Sequence, residues 1–158
     1  MRKTILLISL FSYLTICLLS PKSLHAEENV TLPDGQTVYV PAYSHIYSGD
    51  REVPVLLTVT LSIRNVDRDK SIKVTKVDYY ETQGKLVRNY IESPANLNPL
   101  ESIRYVIARK DKAGGSGANF IVEWESNSPV NPPIIEAIMI ATESQQGISF
   151  TSRGQPLK

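Results

Sequence analysis

The sequence feature that most restricts the fold is a stretch in which apolar and polar side chains alternate residue by residue. In residues 57–64 the apolar positions are Leu57, Val59, Leu61 and Ile63, and the polar ones are Thr58, Thr60, Ser62 and Arg64. Successive side chains of a β-strand point to opposite faces, so this period of two predicts a strand with one buried and one solvated face. Strands of this kind pair into sheets that bury their apolar faces against another layer.

Further segments of the same kind follow at short intervals. The run 72–79 changes phase between Val74 and Val77, which predicts a β-bulge near Thr75 and Lys76. Gln83–Gly84 predicts a hairpin turn that leads the chain into 86–91. The other predicted strands are 36–40, 102–109, 119–126, 133–142 and 148–151.

Segments rich in proline, glycine, asparagine and serine separate these strands, at 93–99, 112–117 and 127–133. We find no segment with the period of an amphipathic helix. Many short strands with such turns are typical of a two-sheet sandwich. We therefore predict an all-β fold, an immunoglobulin-like antiparallel β-sandwich of about seven to eight strands; a small barrel is the alternative. Trp124 alternates with Phe120 and Val122, so we expect it in the core.

Residues 1–26 have the organisation of a secretory signal peptide. Arg2 and Lys3 precede an apolar run of about fifteen residues, too short to span a bilayer comfortably, and Ala26 ends a plausible cleavage site. We predict a single β-sandwich domain over 27–158, exported and periplasmic or secreted after cleavage near Ala26.

Lipidation at Cys17 is the alternative to simple cleavage, although Ile16 stands where a lipoprotein signal has a small residue. Cys17 is the only cysteine, so the mature chain would form no disulfide and would depend on apolar packing.

The charge of the mature chain is close to neutral. Loss of Arg2, Lys3 and Lys22 leaves 14 basic against 16 acidic residues, a formal charge of −2. Nucleic acid is not an expected partner, because phosphate binding needs clustered positive charge. We also expect no membrane span in the mature chain.

The segment 39–50 concentrates side chains that commonly bind ligands, namely three tyrosines, the only histidine of the mature chain and an aspartate. We interpret it as a loop at one end of the sandwich, near the glycine-rich segment 114–117. The candidate binding residues are Tyr39, Tyr43, His45, Tyr47, Asp50, Ser116 and Asn119. The alternative is that these tyrosines only cover the end of the sandwich.

A small hydrolase that uses His45 and a carboxylate, such as Asp50 or Glu123, is an alternative function. Residues 114–118 loosely resemble a nucleophile elbow, with Ser116 as nucleophile and Asp50 or Asp111 to orient the base. An elbow needs a helix after the serine, whereas here a strand is predicted to follow. We therefore predict that the protein is not an enzyme.

Two acidic patterns have spacings found in metal or catalytic sites. Asn65, Asp67 and Asp69 have the spacing that opens a calcium loop, but Lys70 stands where glycine is required, so we interpret them as a solvated turn. Glu123 and Glu125 flank Trp124 and are expected on the solvated face. We expect no cofactor and no metal.

The segment 134–140 carries apolar side chains at both odd- and even-numbered positions, including Ile135, Ile138, Met139 and Ile140, so both faces of a strand here would be apolar. Either the strand is buried on both faces, or one face meets a partner. The second possibility suggests a structural subunit of an envelope assembly.

Several whole segments resemble an uncharacterised family of exported bacterial proteins, domain of unknown function 3124. They are 38–41, 43–47, 114–124, 136–140 and 147–154. The resemblance implies a bacterial envelope or secreted location and a single β domain, and it implies no activity, cofactor or catalytic residue. Our leading hypothesis is a non-catalytic binding or protein-interaction module of the bacterial envelope, with a protein or small ligand as partner.

Overall fold

Twelve β-strands and no helix make up the residues that the computed structural model describes, 31–142 and 147–158. The strands are β1 (Gly35–Pro41), β2 (His45–Ser48), β3 (Val53–Leu56), β4 (Thr58–Arg64), β5 (Ile72–Tyr80), β6 (Leu86–Asn89), β7 (Ala95–Leu97), β8 (Ser102–Ile107), β9 (Asn119–Glu125), β10 (Ile134–Ala141), β11 (Ile148–Arg153) and β12 (Gln155–Pro156). Residues Thr31–Lys158 form one compact unit. The predicted signal peptide, its cleavage site and Cys17 lie outside the described residues.

The strands pair antiparallel in three sheets. The six-stranded sheet has the order β12-β1-β9-β5-β6, and β7 also pairs with β5. The four-stranded sheet has the order β11-β10-β4-β8, and β2 with β3 forms a separate two-stranded sheet. The prediction of an all-β antiparallel fold is confirmed.

The two larger sheets contribute their apolar faces to one hydrophobic core. The inward side chains of β4 and the preceding residue, Leu57, Val59, Leu61 and Ile63, are fully buried, as the alternation predicts. From β9 the core receives Phe120, Val122 and Trp124. Burying a side chain of this size contributes about 1.5–3 kcal/mol, so this core supplies the main stabilising term.

Two local features of β5 are also confirmed. Its pairing with β9 shifts register between Val74 and Lys76, which is the predicted bulge. The β5–β6 hairpin turns at Gly84, whose φ of 82° favours glycine. The turn is closed by the Gly84 amide, which donates to the Glu81 carbonyl at 2.8 Å.

Four strands were not predicted, namely β2, β3, β7 and β12. The interpretation of 39–50 as a loop is wrong, because this segment contains the end of β1 and all of β2. The unpredicted strands are only two to four residues long, and Pro54 and Pro156 lie in two of them. Such short segments carry too little alternation to be recognised, and proline lowers the strand propensity further.

At one lateral side of the core the chain passes directly from the four-stranded to the six-stranded sheet at Gly154. Its amide donates to the Ile135 carbonyl at 2.8 Å. A Cβ at this position would lie 2.6 Å from Val38 Cγ1, so the close approach requires glycine.

At the edge formed by β6, the guanidinium of Arg88 bonds Asp111 at 3.0 Å, and the ring of Tyr90 packs on Tyr105.

The turn 65–70 is more buried than expected. Asp67 is only 7% exposed and accepts four hydrogen bonds, from the amides of Asp69, Lys70 and Asn131 and from the Asn131 side chain. Asn65 is also buried, and its Nδ2 donates to the carbonyls of Lys70, Leu97 and Asn98. The prediction of a solvated turn is therefore wrong for Asn65 and Asp67, which instead join three segments of the chain.

The hydrogen bonds to Asp67 make the stability of the protein depend on pH. The Asp69 amide, followed by the Asn131 amide, lowers the pKa of Asp67 from 3.8 to about 2. A depressed pKa in the folded state means that the carboxylate stabilises the fold above its unfolded pKa of roughly 3.9, and that this contribution is lost as the pH falls towards 2. We expect the urea concentration at the unfolding midpoint to decrease as the pH is lowered from about 4 to about 2.

Asp67→Asn should weaken this acid dependence, because the amide does not titrate. Asp69→Asn is the matched control, since Asp69 is exposed in the same turn. An unchanged pH dependence in Asp67→Asn would contradict the assignment.

Candidate functional site

The structure distributes the seven predicted binding residues over three places. His45 and Tyr47 lie on β2, with Tyr43 just before it and Asp50 in the turn after it. Tyr39 on β1 and Asn119 on β9 lie on the outward face of the six-stranded sheet, where Tyr39 pairs with Ile121. Ser116 is half-buried in the glycine-rich loop.

The β2–β3 hairpin has two distinct faces. His45 pairs with Leu56 and Tyr47 pairs with Pro54, so these four side chains share one face. Ile46 and Val55 share the opposite face and pack against the core. The hairpin is thus anchored by one face and presents the other to its surroundings.

This presented face is continuous with the outward face of the four-stranded sheet. The Leu57 amide donates to the Ser44 carbonyl at 2.9 Å, which extends the hairpin ladder by one pair, and both residues are fully buried. Because the alternation of β3 therefore continues into β4, Leu56 and Thr58 lie on the same side.

Aliphatic side chains flank this side on the neighbouring strands. Ile140 pairs with Thr58, and Ile138 and Val106 pair with Thr60 from either side. Tyr47 is 53% exposed, Val106 50% and Ile140 42%. We define the apolar face as His45, Tyr47, Pro54, Leu56, Thr58, Thr60, Val106, Ile138 and Ile140.

The segment 134–140 has one buried face and one face that belongs to the apolar face. Ile135 and Met139 are buried in the core, whereas Ile138 is half-buried and Ile140 is exposed. The strand is therefore buried on one face and partly open on the other. A partner for the open face stays a prediction.

His45 and Tyr47 form an aromatic pair on the hairpin. His45 Nε2 lies 3.2 Å from Tyr47 Oη, and the rings meet edge to face with centroids 5.2 Å apart. The hydrolase hypothesis instead requires His45 beside a carboxylate. Asp50 is exposed in the turn, and Glu123 bonds Lys76 at 2.6 Å on the other sheet.

The base of the hairpin is fixed by a buried contact with the glycine-rich loop. The Ser44 amide donates to the Gly115 carbonyl, and Ser44 Oγ lies 2.9 Å from the hydroxyl of fully buried Tyr79. Burial raises the pKa of Tyr79, so its hydroxyl stays protonated. The loop 114–117 therefore lies against the segment 39–50, as expected. It leads into strand β9, so its serine lacks the helix that an elbow needs.

Gly114 is required at this contact, because a Cβ there would lie 1.8 Å from Tyr79 Oη. Gly115 has a φ of 77°, a conformation that favours glycine. Ser116 thus belongs to a loop whose shape is set by its neighbours.

Sequence reasoning missed a cleft between β1, the start of β10 and the β11–β12 corner. Its volume is about 160 Å³, and its polar lining residues are Gln36 and Arg153. The consecutive prolines at 132–133 are visible in the sequence, but they predict only a turn and the entry or edge of a strand. The cleft forms between segments that are far apart in sequence, so no local pattern marks it.

The described residues contain neither a cluster of metal ligands nor a membrane-spanning helix. In 31–142 and 147–158, no three His, Cys, Asp or Glu residues are placed to hold a metal ion. Within the same ranges no helix is long and apolar enough to cross a bilayer.

These observations define an all-β protein of antiparallel sheets with a hairpin that extends its outward surface. The family model described as protein of unknown function (DUF3124) matches residues 35–157, and the chain belongs to this family. The predicted resemblance is therefore confirmed. The crystal structure of Thermotoga maritima 1070 is similar at a TM-score of 0.46 and 14% identity, over 76% of this chain and 92% of that one. No curated protein matches the chain.

The contact between Gly114 and Tyr79 can be tested by a double-mutant cycle. We expect Gly114→Ala to lower the free energy of unfolding by about 2 kcal/mol, because the new methyl group overlaps the Tyr79 hydroxyl. In a Tyr79→Phe background this cost should shrink by about 1 kcal/mol, since the overlapping oxygen is gone. Urea unfolding of the four proteins measures the coupling, and strictly additive effects would contradict the contact.

Proposed function

We propose that the protein is a non-catalytic interaction module of the bacterial envelope, and that its apolar face binds a protein partner. The observation that carries the proposal is the continuity of the β2–β3 hairpin with the outward face of the four-stranded sheet. Monomeric proteins rarely expose large contiguous apolar patches, and such patches mark interaction sites.

The side chains of the apolar face suit protein recognition. Tyr47 offers a large amphipathic contact surface, and tyrosine is enriched among residues that dominate binding energy. Thr58 and Thr60 place hydroxyl groups between aliphatic side chains of the neighbouring strands. A protein partner that covers Tyr47 together with Val106 and Ile140 would gain both apolar contact and hydrogen bonds.

The proposal includes an immunoglobulin-like sandwich and export. The shared core of the two larger sheets supports the sandwich, with the β2–β3 hairpin as an addition to it. The basic start, apolar run and Ala26 of the predicted signal peptide support export to the periplasm or the medium.

A structural subunit of an envelope assembly is a second candidate. It is favoured by the exposure of Ile140 beside half-buried Ile138 on β10. In an assembly the apolar face would be covered permanently, whereas a binding module would exchange its partner.

The experiment compares partner capture by two surface variants that remove exposed apolar side chains from different places. Tyr47→Ala changes the apolar face, and Leu86→Ser changes β6, where Leu86 is 47% exposed at the edge of the other sheet. We expect Tyr47→Ala to reduce recovery of the partner from native envelope extracts about ten-fold or more, because losing a buried aromatic contact at an interface costs about 2 kcal/mol.

Leu86→Ser should capture the same partner at the wild-type level. Equal recovery by the wild type and both variants would overturn the proposed face. Light scattering of the purified protein separates the two candidates, since a stable oligomer that Ile140→Ser dissociates would favour the assembly.

A further inference from the structure

The cleft beside Arg153 is a concave apolar site at the opposite end of the four-stranded sheet from the β2–β3 hairpin. It is lined by Gln36, Val38, Pro132, Pro133, Ile134, Ile135, Arg153, Gly154 and Pro156. Most of these side chains are apolar, and proline gives the wall rigid surfaces. None of them belongs to the apolar face.

The volume of the cleft limits what it can hold. At about 160 Å³ it is close to the size of an engineered cavity, roughly 150 Å³, that binds benzene. A phenyl ring or a branched aliphatic group of similar size therefore fits, and a larger ligand would extend outwards past Arg153.

Arg153 brings a positive charge to the lining of the cleft. The ion pairs among residues 31–142 and 147–158 are Lys73–Glu125, Lys76–Glu123 and Arg88–Asp111, so Arg153 takes part in none of these. A guanidinium presents its donors in a planar fork that matches the two oxygens of a carboxylate. Gln36 adds an amide that can donate to the same group.

We propose that this cleft binds an apolar group that carries a carboxylate, with the group held between the prolines and Ile135 and the carboxylate on Arg153. Two sources share this chemistry, namely a free organic acid and the C-terminal residue of a polypeptide. The inference goes beyond the proposed function, because it concerns a second site with a different ligand.

Glu136 makes the proposal sharper, because it pairs with Arg153 across β10 and β11 and projects to the same face. Its negative charge opposes an incoming carboxylate. Removal of this charge by Glu136→Gln should therefore tighten binding, by about two- to five-fold at low ionic strength. If Glu136 only supported the fold, its replacement by glutamine would not increase the affinity for a carboxylate.

The first test is a titration of ¹⁵N-labelled protein with benzoate, followed by NMR. The amide of Gly154, which lies in the cleft wall and donates to the Ile135 carbonyl, is the natural reporter. We expect saturable shifts at Gly154 and Ile135 with a Kd on the order of 1 mM, the range for so small a ligand. Benzamide has the same ring without the charge, and its affinity should be lower than that of benzoate by about ten-fold or more.

Variants test the role of the guanidinium. Arg153→Gln should weaken benzoate binding about ten-fold or more. Arg104→Gln is the matched control, because Arg104 is an exposed arginine on β8, at the other edge of the same sheet. It should bind like the wild type. Absence of saturable shifts, or equal loss in both arginine variants, would overturn the proposal.

A second arm distinguishes the two sources of the carboxylate. A tripeptide that ends in phenylalanine is compared with its C-terminally amidated form. Tighter binding of the free-acid peptide than of benzoate, with loss on amidation, would assign the site to polypeptide C-termini. Binding of benzoate without the peptide would assign it to free acids, and failure of both ligands would reject the site.

Discussion

The structure depends on the mutual burial of the apolar faces of its two larger sheets. The described residues contain no cysteine, so no covalent cross-link assists this packing. A β-strand alternates its side chains with a period of two, and a register slip of one residue would send Leu61 to the solvent and Thr60 to the core. The burial of β4 therefore fixes its register against β8 and β10, and with it every outward position on these strands.

The orientation of the β2–β3 hairpin depends on this same burial of β4. Leu57 is buried in the core and bonds Ser44, so the alternation of β4 reaches into β3 without a change of phase. Tyr79 then holds Ser44 from the six-stranded sheet, with Gly114 leaving room for its hydroxyl. Tyr47 thus points outwards because Leu57, ten residues later, is buried, and not because of a conformational preference of its own segment.

The sequence was sufficient wherever a pattern was local and long. The alternation of β4, the bulge of β5 and the buried position of Trp124 follow from periodicity within single strands. The segment of β2 and β3 could not be recognised, because each strand has only four residues and therefore shows too little alternation. The candidate residues of 39–50 were found by composition, but their division between two faces depends on pairing with β3.

Long-range partners explain the other differences. Asp67 has the spacing of a calcium ligand within its own segment, yet two of its hydrogen bonds come from Asn131, 64 residues away. The cleft at Arg153 likewise combines residues that are far apart in the sequence, Gln36 and Pro156 among them. Such contacts are decided by sheet order, which local chemistry does not encode.

The outward faces of the two large sheets differ in a way that bears on association. On the six-stranded sheet, Lys73 and Lys76 of β5 pair with Glu125 and Glu123 of β9, so opposite charges neutralise each other on the surface and stay hydrated. An approaching protein would have to desolvate these pairs, and burial of charge without new partners is costly. Towards the hairpin, the outward face of the four-stranded sheet presents threonines and aliphatic side chains, whose desolvation costs less than that of ion pairs, whereas Arg104 and Glu136 lie further along the same face. Association through the hairpin end of the four-stranded sheet would therefore cost less desolvation than association through the six-stranded sheet.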